Sequence, residues 1–185
     1  MVPHLCSHHH AYPPMHPGHS GGQGRISWPY HPQSAYPAWN PQHGHTPGTI
    51  PLQDYGTRPY VVNIDQATRQ NHNYRTALWT GKHFQVTLMC IGPGDDIGLE
   101  VHPTTDQFIR LEEGQGLVQM GDSKEKLDFQ VMAYDDFAIM VPAGKWHNVT
   151  NTGNRPLKVY VIYAPPEHPY GTVQPVKPLA QEAVK

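Results

Sequence analysis

The sequence predicts an all-β domain, either a sandwich or a barrel, between residues 60 and 163, behind a disordered N-terminal tail. From residue 60 onward, short apolar or alternating runs recur at close spacing, and no long run has a helical period. Turn signals such as Gly92-Pro93-Gly94 separate these runs. Before that point Pro, Gly, His, Ser, Gln and aromatic residues dominate the composition. The 185 residues leave room for one ordinary domain.

Residues 1–56 form the predicted tail. Arg25 is the only charged residue before Asp54, and the segment has no stable apolar period. Such a segment cannot bury enough apolar surface to offset the entropy lost on ordering, so we expect it to be disordered. Its aromatic residues often adjoin proline, which favours extended, self-associating conformations. Its histidines, including His8-His9-His10, could bind metal loosely, but an incidental solvated role is the simpler interpretation.

The predicted domain covers residues 57–170. Its expected strands lie at residues 60–64, 74–78, 84–91, 98–102, 107–113, 116–120, 127–131, 137–141, 147–150 and 157–163. Residues 65–73 form either a short helix or an irregular connection. Residues 171–185 are a C-terminal tail, with at most a short helix over its last residues.

The net charge, the hydropathy and the cysteine content argue against several classes of function. The formal net charge is −2, so the chain offers no basic face suited to nucleic acid. No apolar run approaches the length of a membrane span, and the start lacks the pattern of a secretory signal. Cys6 and Cys90 are unlikely partners, and two lone thiols indicate a reducing, cytoplasmic compartment, although Cys6 could crosslink to another chain.

Four side chains of the domain could converge on one site. Glu100 and His102 are two residues apart in a predicted strand, so both point to the same face. Gln107 opens the next predicted strand and would lie beside them across a hairpin. His147 follows a tight turn that would direct its strand back into the barrel. Two imidazoles, one carboxylate and one amide oxygen suit a divalent metal, with Fe, Mn, Ni and Zn as the candidates.

The spacing of these residues resembles the first of the two motifs of the cupin superfamily. That motif places Gly, His, His, Glu and Gly at characteristic intervals. This sequence matches the intervals with Gly94, Glu100, His102, Gln107 and Gly114. The departures are Glu100 at the first His position and Gln107 at the Glu position.

The second cupin motif is also in register. It places Gly, Pro, Gly, His and Asn at characteristic intervals, and this sequence matches them with Asp136, Pro142, Gly144, His147 and Asn151. Here Asp136 stands at the position of the first Gly. The resemblance implies a jelly-roll barrel (a double-stranded β-helix), commonly a homodimer or larger homo-oligomer. The ligand types are similar to those of the phosphomannose-isomerase branch, and the chain resembles the single-domain bacterial cupins described as mannose-6-phosphate-isomerase-like.

A cupin that has lost its metal is the alternative interpretation of the site. Gln107 could ligate only through its carbonyl oxygen, and weakly. Without metal, Glu100 and Gln107 would hydrogen-bond each other or a small ligand, because a buried, unpaired carboxylate is costly.

Three functions are consistent with this sequence. In the first, the metal acts as a Lewis acid on a small oxygenated, sugar-like molecule, and the resemblance implies an isomerase or oxygenase. Glu100 would be the base if it is not a ligand. In the second, the barrel binds a metal or metabolite without turnover. In the third, a degenerate barrel dimerises and the tail drives self-association, since the tail's composition resembles structural proteins of bacterial spore coats.

Overall fold

The computed structural model describes residues 48–178. In this range the chain forms one short helix and nine strands. The elements are α1 (Ile64–Gln70), β1 (Arg75–Thr80), β2 (Gln85–Ile91), β3 (Asp106–Glu113), β4 (Gln115–Gly121), β5 (Phe129–Tyr134), β6 (Ala138–Val141), β7 (Trp146–Asn151), β8 (Leu157–Ala164) and β9 (Val173–Gln174). The predicted all-β fold is therefore confirmed, whereas the predictions for residues 1–47 and 179–185 lie outside the described range.

The strands form two antiparallel sheets. One sheet has the order β6-β3-β8-β2-β1-β9 and the other has the order β5-β4-β7. Strand β8 lies between β3 and β2, so strands distant in the chain become neighbours, as in a jelly roll. Apolar side chains of both sheets pack together inside, among them Ile109, Val161, Val118 and Val149. This core supports the inward-facing polar side chains of the site.

Helix α1 replaces the end of a predicted strand. The Asn63 side chain accepts a hydrogen bond from Gln66 N at 3.1 Å, which caps the helix one residue before Ile64. The predicted strand at 60–64 is therefore wrong. Its side chains do alternate, since Val61 is exposed while Tyr60 and Val62 pack on Leu78 and Leu88. The segment nevertheless pairs with no strand of the described chain.

The predicted strand at 98–102 is also wrong as a continuous element. Gly98 has a φ of 88° and interrupts the extended backbone. The segment instead meets β7 through one isolated bridge, which joins Glu100 to His147. Backbone hydrogen bonds of 3.1 and 2.9 Å run both ways between these two residues.

The structure extends the ordered domain beyond the predicted boundaries of 57 and 170. Ile50, Leu52 and Tyr55 pack on the outer face of the larger sheet. At the other end, β9 pairs with β1, and Lys177 binds Asp95 at 2.8 Å. Both segments were predicted as tail because each is too short and too rich in proline to show a period of its own.

Candidate metal centre

The structure brings Glu100, His102 and His147 together. Their ligand atoms all lie within 4.8 Å of one another. His147 is on β7, and the bridge between Glu100 and His147 places the two backbones side by side. His102 follows in the same segment, and its carbonyl accepts a hydrogen bond from Gly144 N at 2.8 Å. The turn before β7 therefore contacts the His102 segment and leads directly into His147.

One carboxylate oxygen lies between the two imidazoles. Glu100 Oε1 is 3.3 Å from His102 Nε2 and 3.4 Å from His147 Nε2. None of these three atoms has a hydrogen-bond partner in the described chain, although all three are buried. Buried polar atoms are normally paired, so this arrangement is incomplete without a further group between them.

The other nitrogen of each imidazole is already engaged. His147 Nδ1 donates to the carbonyl oxygen of Lys145 at 2.9 Å. His102 Nδ1 lies 3.1 Å from Glu167 Oε1. Because each Nδ1 faces an acceptor, each neutral ring presents the lone pair of Nε2 towards Glu100. Three electron-pair donors face one another, and this arrangement fits a cation.

The electrostatics favour an ionised Glu100. Burial raises the pKa of Glu100, but when His102 and His147 carry a proton on Nε2, their hydrogen bonds and charge outweigh burial and lower this pKa to about 2. For His102, burial lowers the pKa, yet the carboxylates of Glu100 and Glu167 outweigh it and the net pKa is raised. A carboxylate with so low a pKa is a weak base, which favours a role as ligand.

Gln107, the fourth predicted ligand, lies on β3, in the other sheet from His147. It is buried on β3, opposite Val141 of β6 and Tyr163 of β8. The expected hairpin with the Glu100 segment is wrong, because that segment pairs with β7. Gln107 Oε1 is nevertheless buried without a hydrogen-bond partner in the described range, as is Glu100 Oε1. Ligation by Gln107 stays a prediction.

Five residues around the site were not predicted from the sequence. Glu167 contacts His102, and Thr105 Oγ1 donates to its other carboxylate oxygen at 2.9 Å. Tyr163 is fully buried, and its ring lies edge-on to the rings of His102 and His168, at 5.6 and 4.9 Å between centroids. The Tyr163 hydroxyl lies 3.5 Å from Arg75 Nη2. None belongs to a spaced motif, and each looks like an ordinary strand or loop residue in the sequence.

Burial shifts the pKa values of Tyr163 and His168, two of the residues around the site. It raises the pKa of Tyr163, so the phenol stays protonated. Burial and then the positive charge of Arg75 lower the pKa of His168 to about 4, despite the opposing influence of Glu100. At neutral pH His168 is therefore uncharged, and its Nε2 is buried without a partner in the described chain.

Backbone conformation explains the glycine positions of the two motifs. Gly94, Gly114 and Gly144 all have positive φ, at 76°, 99° and 79°. Asp136, at the position of the missing Gly, also has a positive φ of 69°. Asp tolerates this left-handed conformation better than most residues do. The substitution therefore preserves the turn between β5 and β6.

The Cupin_2 family model, described as the Cupin domain, matches residues 87–163. Together with the barrel and its site, this match shows that the chain belongs to the cupin superfamily. The chain is 67% identical over 126 residues to the uncharacterized protein YrkC of Bacillus subtilis (strain 168), covering 68% of each chain. It is also 38% identical over 120 residues to the uncharacterized protein L612 of Acanthamoeba polyphaga mimivirus, covering 64% of this chain and 73% of that one.

Among solved structures, BH2720 from Bacillus halodurans is similar over 67% of this chain and 94% of its own. Its sequence identity is 62% and its TM-score is 0.67. The family match supports a cupin domain, and the structure groups a candidate metal-binding triad within it. The comparisons do not favour the spore-coat alternative, and most of its predicted tail (residues 1–56) lies outside the described range. No helix in the described range is both long and apolar enough to cross a membrane. The homodimer stays a prediction.

Proposed function

We propose that the barrel binds one divalent metal ion through Glu100, His102 and His147, with Gln107 as a fourth ligand, and uses it to hold a small oxygenated molecule. The observation that carries this proposal is the set of three buried, mutually facing atoms without hydrogen-bond partners in the described chain. Without a cation or proton between them, three electron-pair donors at this separation would repel one another.

The donor set limits the choice of metal. Two imidazoles and one carboxylate suit Fe(II), and the same set accepts Mn, Ni or Zn. A metal with an open coordination position acts as a Lewis acid on a bound hydroxyl or carbonyl oxygen. Glu100 contributes the negative charge, and the engaged Nδ1 atoms of His102 and His147 orient the rings. A sugar-like molecule is the ligand class that we infer for this site.

The test is elemental analysis by mass spectrometry on the full chain, purified without added metal. The tail histidines are present in every variant, so the difference between variants reports the barrel site alone. We expect the wild type to carry about one more Fe, Mn, Ni or Zn per chain than His147→Ala. His72→Ala is the matched control, since His72 is exposed and outside the cluster.

Circular dichroism must show that His147→Ala remains folded. Equal metal content in the wild type, His147→Ala and Glu100→Ala, with all three proteins folded, would remove the metal site from the proposal. The barrel would then be a degenerate cupin that binds a ligand without metal.

A further inference from the structure

Arg75 is a buried cation at the inner face of β1. Its residue is only 5% exposed, and it lies directly opposite Met89, a core residue of β2. No carboxylate lies within 4.0 Å of its guanidinium in residues 48–178. Arginine stays protonated in proteins, so it cannot escape the cost of burial by losing its charge. A buried charge without a counter-ion is strongly unfavourable.

The guanidinium of Arg75 makes few hydrogen bonds, and most of them are long. Nη1 donates to Gln174 Oε1 at 3.2 Å, and Nη2 has only long contacts, to Tyr163 Oη at 3.5 Å and Met89 Sδ at 3.7 Å. Nε is buried with no partner in the described chain. The guanidinium carbon also lies 5.5 Å from the centre of the Tyr74 ring. These neighbours are neutral, so the planar fork of donors still lacks an anion.

Tyr163 connects Arg75 to the candidate metal centre. Its hydroxyl contacts the guanidinium, and its ring contacts His102. One more buried polar atom without a partner in the described chain, His168 Nε2, belongs to a residue whose ring packs edge-on against Tyr163. The Tyr163 oxygen accepts from Arg75, which leaves the hydroxyl hydrogen free to donate to a ligand.

With a divalent ion bound, the barrel interior would carry an excess of positive charge, which an anionic ligand would balance. A divalent ion brings two positive charges and Arg75 brings one, whereas Glu100 supplies a single negative charge. Glu167 adds another, but it is partly exposed and faces His102. A ligand with a negative group would neutralise the remainder and supply the acceptor that Arg75 lacks.

We propose that Arg75 and the Tyr163 hydroxyl bind the carboxylate of the ligand. The small oxygenated, sugar-like ligand of the proposed function would then also carry a carboxylate, beside a hydroxyl or carbonyl oxygen for the metal. The planar guanidinium matches a carboxylate through parallel hydrogen bonds. This inference rests on the proposed function for the second contact and for the excess of positive charge, whereas the unpaired guanidinium of Arg75 supports carboxylate binding with or without metal.

The test compares small 2-hydroxy acids with their neutral amides on the full chain. Glycolate, L-lactate and L-malate are each paired with the corresponding amide, and inorganic phosphate is added as a competing anion. Binding is measured by calorimetry and by the shift in melting temperature, both on metal-free protein and on protein loaded with Mn or Zn. We expect at least one carboxylate to bind and its amide to bind at least about tenfold more weakly.

Arg75→Met removes the charge but keeps a flexible side chain of similar length. We expect it to weaken carboxylate binding about tenfold to a hundredfold, with metal content unchanged. The ligand-free variant should melt at the same or a higher temperature than the wild type, because a buried, unpaired charge is gone. Arg75→Lys should bind with intermediate affinity, since it keeps the charge and loses the fork.

Several results would overturn the assignment. They are equal binding of acid and amide, no binding of any carboxylate, preference for inorganic phosphate, or unchanged binding by Arg75→Met. A lower melting temperature of ligand-free Arg75→Met with unchanged ligand affinity would give Arg75 a purely structural role. Failure of the metal site would appear separately, as absent metal in a protein that still binds carboxylates through Arg75.

Discussion

His102 Nδ1 lies 3.1 Å from Glu167 Oε1, and this contact joins the first cupin motif to a loop that follows β8. Thr105 donates to the other oxygen of Glu167, so the carboxylate is held from both sides. The contact determines which nitrogen of His102 faces Glu100. Glu167 is therefore a positioning residue for the candidate metal centre.

Substitution of Glu167 should weaken metal binding without removing a ligand. We expect Glu167→Ala to reduce metal affinity about tenfold to a hundredfold, because the orientation and basicity of His102 depend on this partner. Glu167→Gln keeps an acceptor oxygen and should lose less. Competition against a chelator of known affinity measures both values. Equal losses in the two variants would contradict a role through hydrogen bonding.

Gln107→Glu should strengthen metal binding. The change places a second carboxylate where the family motif has one, and a second negative charge neutralises a divalent ion more fully. In metal-free protein the same carboxylate would be buried without a hydrogen-bond partner in the described range, so the melting temperature should fall. Melting curves with and without added Mn or Zn measure both effects.

Asp106→Asn is the matched control for Gln107→Glu. Asp106 precedes Gln107 on β3 but is exposed, and it accepts a hydrogen bond from Ala143 N at 2.9 Å. Its substitution should leave the metal response unchanged. If Gln107→Glu gains no metal-dependent stability relative to this control, Gln107 does not face the ion.

His168 should make the stability depend on pH. Burial lowers its pKa to about 4 in the folded protein, from the ordinary histidine value of 6.5. The unfolded chain therefore takes up the proton first as the pH falls. The stability that neutral His168 provides is fully present above about pH 6.5 and is lost progressively between pH 6.5 and 4.

His168→Gln removes this titration. Urea denaturation at a series of pH values should show a smaller loss of unfolding free energy between pH 6.5 and 4 for the variant than for the wild type. His72→Gln, at an exposed position, should follow the wild type. Parallel curves for the wild type and His168→Gln would show that His168 is not protected from protonation.

Asp136 should tolerate glycine better than alanine. Its φ of 69° is left-handed, and its side chain accepts from Arg110 Nη2 at 2.6 Å on the exposed surface. Both variants lose the ion pair, but only alanine keeps the backbone strain. We expect Asp136→Ala to be less stable than Asp136→Gly by about 1 kcal/mol. Equal unfolding free energies in urea would show that the turn carries no such strain.

Local patterns in the sequence predicted most strands and three of the grouped site residues. Alternation and turn residues are properties of neighbouring positions, so β2, β3 and β8 could be predicted within a few residues. The motif spacings located Glu100, His102 and His147. The spacings are local because each motif includes tight turns, whose positive φ values favour glycine at fixed positions. The strands at 60–64 and 98–102 were wrong because a helix cap and Gly98 override an apparent alternation.

The sequence by itself determined the family, the all-β fold and the three residues Glu100, His102 and His147 that the structure groups. Only the tertiary structure decided that Glu167 orients His102 and that Arg75 is buried without a carboxylate nearby in the described range. It also decided that Tyr163 contacts both His102 and Arg75. The physical reason is the order of strands in the larger sheet. Contacts across β3, β8, β2 and β1 join residues far apart in the chain, and no local period encodes which strands become neighbours.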